Sequence, residues 1–213
     1  VSDTGTSGLS PQEREAERRS TLIYREFPKV ARLRRECIIT EKIDGTNACV
    51  VIGQDGEVAA QSRNQLLVNG KSDAFGFALW VQRNEDRLRT LLGPGHHFGE
   101  WWGPGIQRGY ALSKEDSNSR CKKLSLFNVD RWVHLPVTPD LGIVPVLYRG
   151  LFSTVAVDMA LEQLRVGGSL ASPGFMRPEG VVVFHVAGNV SFKVTLEKDE
   201  ERKGQALAGG THG

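Results

Sequence analysis

The stretch TEKIDGTNACVVI, residues 40–52, decides how the rest of the chain is read. Apolar runs flank its centre, ECIIT before and ACVVI after, so it reads as strand, turn, strand. The turn carries Lys42, two residues before the pair Asp44-Gly45. A lysine at a strand edge is ordinarily a snorkelling surface residue, with its stem packed and its amine in water. Three local features point elsewhere. Strands on both sides hold the residue in place. Gly45 allows a backbone or a ligand to come close. Glu41 and Asp44 supply acids for metal-bound water, ribose or base contacts. An amine is a nucleophile only when neutral, which needs desolvation or nearby positive charge. Basic side chains converging on Lys42, such as Arg63 and Lys193, would have that effect and would also bind phosphate.

Working outward, Ser10-Pro11 opens a charged helix to about Ser20, with serine as cap and proline in the first turn. Asp55-Gly56 is a hairpin signal leading into VAAQS. Asp73 can cap a helix running to Leu92, with Phe75, Ala78, Leu79, Leu88, Leu91 and Leu92 on one face. HHFGEWW, KLSLFNVDRW and GIVPVLYRG read as strands, the last weakened by its proline. TVAVDMALEQLRV, residues 154–166, is a second amphipathic helix. GVVVFHVA and NVSFKVTLE form a hairpin across Gly188-Asn189. Many strands in hairpins with separate helices predict an α+β fold of mostly antiparallel sheets, not a doubly wound one. The expected division is a tail and short helix over 1–20, a catalytic domain over 21–197 and a flexible tail over 198–213.

The bulk numbers narrow the class without choosing a function. The 213 residues suit one sizeable domain, and 39% hydrophobic with 24% charged residues is an ordinary soluble composition. No apolar run approaches the roughly 18 residues of a membrane span, so no membrane partner is expected. No secretory signal opens the sequence, and the three cysteines lack metal-ligand spacing. A reduced, cytoplasmic protein is the expectation, with a phage-encoded origin left open. Net charge is only +2, but REFPKVARLRR holds five basic side chains, among them Arg32, Arg34 and Arg35. Arg108, Lys114, Arg120, Lys122, Lys123 and Arg131 make a second basic set. Each set is either a solvated surface or a track for phosphates.

Further motifs are ambiguous one by one. In FGEWWGPGIQRGY, Glu100 sits among strand-like aromatics, where a carboxylate needs a partner such as a ribose hydroxyl or an arginine. GPG is not a dinucleotide loop. His96 and His97 are adjacent on a strand and so face opposite ways, which argues against a metal pair. Glu179-Gly180 stands at the mouth of a fully apolar strand. Lys193 faces opposite to Phe192 and Val194, outward to solvent or inward to a phosphate.

Taken in order, TEKIDGTN, QSRN, FGEWWGPG, LSLFNV, PEGVVV and SFKVT resemble the covalent nucleotidyltransferase superfamily of polynucleotide ligases and capping enzymes. The set is most similar to the ATP-dependent RNA ligases of the type-two branch, over residues 36–197. The resemblance implies a nucleotidyltransferase (ATP-grasp-like) domain with a nucleotide cleft between antiparallel sheets and flanking helices. It implies ATP as co-substrate, Mg²⁺ or Mn²⁺, and an RNA with 5′-phosphate and 3′-hydroxyl ends. Lys42 would attack the α-phosphate, hold AMP, pass it to the RNA 5′-phosphate, and a 3′-hydroxyl would then seal the strand.

By the same resemblance Glu41 would lie near adenine, and Asp44 would act on metal-bound water or the RNA end. Asn47 would contact RNA in the sealing step, and Arg32, Arg34 and Arg35 would steer it. Arg63 would bind ribose or phosphates, Glu100 a ribose hydroxyl, and Phe127 would stack on adenine. Glu179 would serve the metal and phosphates through water, and Lys193 the α-phosphate. Two departures stand out. The last motif of the family often has two lysines one residue apart, and SFKVT has one. Many ligases also carry a further domain after that motif, where only about sixteen residues follow here. Either the catalytic domain stands alone or sequence is missing, and a partner domain or protein would then supply RNA-end specificity. The alternatives are a DNA-ligase or capping-type enzyme of the same fold, and a non-catalytic nucleotide- or RNA-binding module of ligase ancestry.

Overall fold

The computed structural model describes residues 10–20, 26, 27, 29–68, 73–110 and 122–197. The chain divides into two compact units, Val1–Ala31 and Arg32–Gly213. In the first, α1 (Pro11–Ser20) begins as its sequence predicts. The Ser10 hydroxyl accepts from the Glu13 amide at 3.3 Å, and the Glu13 carboxylate accepts from the Ser10 amide at 2.7 Å. This reciprocal pair is a capping box.

The second unit holds two sheets. One has four strands in the order β10-β9-β1-β8, comprising β1 (Glu36–Lys42), β8 (Val146–Leu151), β9 (Gly180–His185) and β10 (Val190–Thr195). The other has six, in the order β4-β3-β2-β5-β6-β7. They are β2 (Thr46–Ile52), β3 (Val58–Gln61), β4 (Leu66–Leu67), β5 (Gly95–Trp102), β6 (Lys123–Leu126) and β7 (Leu141–Ile143). Every pairing is antiparallel except β6 with β7. The α+β class and the antiparallel expectation therefore hold.

Each sheet hides one face under helices. The back of the four-stranded sheet offers Cys37, Ile39, Val181 and Val183 to α4 (Thr154–Gly167), which answers with Ala156, Val157, Ala160 and Leu164. The six-stranded sheet packs Ala48, Val50, Trp101, Leu124 and Leu126 with residues of α2 (Phe77–Arg83) and α3 (Glu85–Leu92). The opposite faces of the two sheets share a third cluster: Ile38, Ile43, Trp102, Tyr110, Val129, Val144 and Phe175. That cluster floors the cleft between the sheets.

Three expected elements come out differently. The helix predicted from Asp73 to Leu92 is two helices, broken at Asn84, whose side-chain amide donates to the Trp80 carbonyl at 2.7 Å. Asp73 still serves the first of them, but through its side chain and the Leu79 amide at 2.9 Å. KLSLFNVDRW is a strand only to Leu126, because Asn128 turns the chain by accepting from the Arg131 amide at 3.2 Å. GIVPVLYRG is not one strand. It splits around Val144-Pro145 into β7 and β8, which join different sheets. Proline supplies no ladder donor, so the chain changes sheet there.

Candidate active site

Lys42 is the last residue of β1, and strand register decides its surroundings. Residues paired directly across neighbouring strands share a sheet face. Lys42 lies opposite Gly180 on β9, which lies opposite Thr195 on β10. Thr40, Val182 and Lys193 form the next such row. Lys42 and Lys193 therefore share the cleft face, while Glu41 points to the back. Gly180 is required by close approach: a Cβ there would meet the Val194 carbonyl oxygen at 2.2 Å.

The Lys42 ammonium donates to Glu179 Oε2 at 2.5 Å, with both side chains less than a quarter exposed. Glu179 immediately precedes β9, so the pairing of β1 with β9 brings the acid to the amine. The turn after Lys42 is pinned from the other sheet. Glu100 Oε1 accepts from the Gly45 amide at 3.0 Å, and the Tyr110 hydroxyl accepts from the Asp44 amide at 3.0 Å. A Cβ on Gly45 would lie 2.5 Å from the Trp101 carbonyl oxygen. The glycine is thus needed for the approach of β5's backbone.

Glu100 also accepts from the Asn47 amide group at 3.5 Å, and Asn47 in turn accepts from Arg63. Burial pushes the Glu100 carboxyl up to about 7, opposed by the Gly45 amide and Lys42 and assisted by the charges of Glu179 and Asp44. A buried carboxyl that titrates near neutrality is an acceptor awaiting a partner. Asp44 Oδ2 is held by Arg108 Nε at 3.1 Å. Phe127 is 42% exposed and follows β6 on the cleft side, its amide bonded to the Phe98 carbonyl at 3.0 Å.

The fold thus brings together Lys42, Asp44, Asn47, Arg63, Glu100 and Glu179 on one contact network, with Phe127 and Lys193 on the same two facing surfaces. Glu41 bonds none of them among the described residues, although its charge reaches Tyr110. Glu41 is 1% exposed, and its carboxylate accepts from the Ser169 hydroxyl at 2.5 Å and from the Leu170 and Ala171 amides at 2.8 and 2.9 Å. Burial raises its pKa against those three donors. Arg32, Arg34 and Arg35 are exposed and precede the far end of the seven-residue β1, roughly 20 Å from Lys42 at strand rise. Of the second basic set, Lys114 and Arg120 lie outside the described residues, as does Cys121.

Sequence reasoning missed three contributors. Arg108 counted only as one of a basic set, although its place just after FGEWW marked it as near the site. Tyr110 gave no signal as a turn clamp. Phe98 shows in the sequence only as part of the expected strand HHFGEWW, yet it is 54% exposed and stacks with His96 at 6.0 Å. His97 faces the core and bonds the Gly93 carbonyl oxygen at 2.8 Å, as the opposed facing of the two histidines requires.

Two facing, mostly antiparallel sheets with helices outside form a fold also seen in solved RNA ligases. The family model described as RNA ligase matches residues 35–195, and the chain belongs to that family. Solved structures of Naegleria gruberi RNA ligase variants are similar. One with AMP and Mn aligns with TM-score 0.53 at 21% identity, covering 80% of this chain and 53% of that one. One with ATP and Mn aligns with TM-score 0.51 at 22% identity, covering 81% and 53%. An apo variant aligns with TM-score 0.53 at 22% identity, covering 80% and 53%. The chain thus spans about half the length of these ligases. No curated protein matches the sequence.

Proposed function

We propose that the chain carries the adenylyl-transfer centre of an ATP-dependent RNA ligase, with Lys42 as the nucleophile. The observation that carries this reading is the Lys42 ammonium at the cleft end of β1, hydrogen-bonded to Glu179 at 2.5 Å. Membership of the RNA ligase family supports it, as do the AMP, ATP and Mn that accompany Naegleria gruberi RNA ligase variants of this fold. Lys42 Nζ gives up a proton and forms a phosphoramide bond to the α-phosphate, and the bond to pyrophosphate breaks. Glu179, hydrogen-bonded to that amine, would receive the proton. AMP then passes to an RNA 5′-phosphate, and a 3′-hydroxyl displaces it to seal the strand. Glu100 would accept a ribose hydroxyl, which favours its ionised form. Phe127 would stack on adenine, and Lys193 would meet the α-phosphate.

Among the described residues no group of three or more histidines, cysteines or acids gathers closely enough to hold a metal. The donor set suits a hydrated ion instead, since Mg²⁺ keeps several waters. Glu179 would hold it through water, and the cation would offset phosphate charge. The RNA strand would run towards Arg32, Arg34 and Arg35, which would steer it by charge.

The test is to mix the protein with Mg²⁺ and α-phosphate-labelled ATP, denature it, and look for label on the chain. Label from ATP, absent with Lys42→Ala and weak with GTP, is the expected result. An unlabelled protein that mass spectrometry shows to carry no AMP would leave the binding-module reading. Label that survives Lys42→Ala would remove Lys42 as nucleophile. Nicked RNA and nicked DNA offered to the charged protein then separate an RNA ligase from its DNA-sealing relatives.

A further inference from the structure

The geometry points to Arg108 as a further phosphate-binding cation of this centre, supplying from the loop after β5 the charge that β10 does not carry beside Lys42. The inference rests on the ligase reading above and adds a residue to it. Its starting point is the register. The β10 residue in line with Lys42 is Thr195, which is neutral. Lys193 is one row away on the same face. Around Lys42 stand three carboxylates, from Asp44, Glu100 and Glu179. A nucleoside triphosphate entering there adds further negative charge, for which Lys42, Lys193 and Arg63 are a thin counterweight.

Arg108 is the guanidinium that reaches this end of the cleft. It is 27% exposed on its side chain. Its Nε donates to Asp44 Oδ2 at 3.1 Å. One terminal nitrogen donates to the Arg177 carbonyl at 3.1 Å and lies 3.5 Å from that of Pro178, directly before Glu179. The other terminal nitrogen approaches Glu197 at 3.7 Å, two residues beyond Thr195, and makes no hydrogen bond among the described residues. A guanidinium has five N–H donors in a fixed fork. The bonds to Asp44 and the carbonyls orient that fork, and its NH2 edge, 3.7 Å from Glu197, faces the Thr195 end of β10, where an anion would meet it.

The loop itself supports the assignment. Gln107 and Tyr110 adopt left-handed backbone conformations at φ 44° and 43°, with Gly109 between them at φ 79°. A non-glycine residue in that region is strained, and such strain persists only where the surroundings hold it. Here they do. Tyr110 is 2% exposed, its hydroxyl takes the Asp44 amide, and its carbonyl accepts from the Ser172 hydroxyl at 3.0 Å. The strained turn holds Arg108 against the Lys42 turn and the Glu179 segment at once.

The experiment compares adenosine with α,β-methylene-ATP, whose α–β bridge Lys42 cannot break, in the presence of Mg²⁺. Dissociation constants are measured by calorimetry for the wild-type chain, Arg108→Lys and Arg108→Gln. Losing one charged hydrogen-bonding partner should weaken the triphosphate analogue about tenfold or more in Arg108→Gln, with adenosine affinity unchanged. Arg108→Lys should recover most of the loss. Equal losses for both ligands, a triphosphate change under about twofold, or failure of Arg108→Gln to fold would make Arg108 a structural clamp and overturn the inference. A wild-type chain that binds neither ligand would instead remove the ligase reading beneath it.

Discussion

Glu41 and Lys42 are neighbours on β1, yet their side chains leave opposite faces of the strand and meet different partners. Glu41 faces the back of the sheet, 1% exposed, and ties down the loop at 169–171 through three hydrogen bonds. Lys42 faces the cleft, keeps its side chain 23% exposed, and hydrogen-bonds Glu179. Strand alternation alone separates them. The contrast shows how one strand can carry a buried anchor on one face and a solvent-reached amine on the other.

The largest expected contrast is between their substitutions. Lys42→Ala should abolish AMP attachment while the melting temperature stays near the wild-type value. Glu41→Ala strands a buried hydroxyl and two amides and should cost about 2–4 kcal/mol, or roughly 5–10 °C in melting for a chain this size. Glu41→Ala protein kept folded at low temperature should still accept label. Loss of label at full folding would break the comparison and bring Glu41 to the nucleotide, the adenine contact that its motif position implies.

Glu100 gives a contrast with pH. Its folded pKa, about 7, lies above its ordinary value of 4.5. The folded state therefore holds the proton more tightly than the unfolded state between those values. Its contribution is fully present below about pH 4.5 and is lost as pH rises through about 7. Glu100→Gln, which cannot ionise, should be more stable than wild type at pH 8 by up to about 3 kcal/mol. The gain should vanish near pH 4, and melting scans across that range would follow it. A gain that did not vary with pH would show that ionisation is not its source.

Smaller effects are expected at the edges. Replacing Arg32, Arg34 and Arg35 together with alanine should leave AMP attachment unchanged, because they stand at the far end of β1. RNA binding should weaken, and its log–log salt slope should shallow by up to about two, at roughly 0.7 per lost phosphate contact. An unchanged slope would place the RNA path elsewhere. The smallest effect concerns Arg63, which is exposed and bonds Asn47. Arg63→Ala should change stability by no more than about 0.5 kcal/mol, so any large loss of labelling would report on chemistry alone.

Much of this was readable beforehand where period and turn chemistry agree. β1, β2, α4 and the β9–β10 hairpin lie within a residue or two of their expected bounds. The places that escaped are those where a side chain or a proline overrode the local pattern. Asn84 broke a helix whose apolar spacing continued through it, and Pro145 sent one apolar run into two sheets. In the site, Lys42, Asp44, Glu100 and Glu179 could be picked out as acids and an amine beside apolar strands. Arg108 could not be told from other basic residues, because its meaning lies in contacts 64 to 70 residues away in sequence.

By itself the sequence determined which residues alternate, where the chain turns, and that an amine and several acids sit at strand ends. Those are properties of two- and 3.6-residue periods and of glycine and proline, and they need no knowledge of distant partners. Tertiary structure decided which amine meets which acid. Pairing β1 with β9 set Glu179 on Lys42, and pairing β2 with β5 set Glu100 on the turn at Gly45. The same packing buried Glu100 deeply enough to move its proton affinity towards neutrality. Desolvation and Coulomb energy depend on everything within a few ångströms, and only the folded chain specifies that neighbourhood.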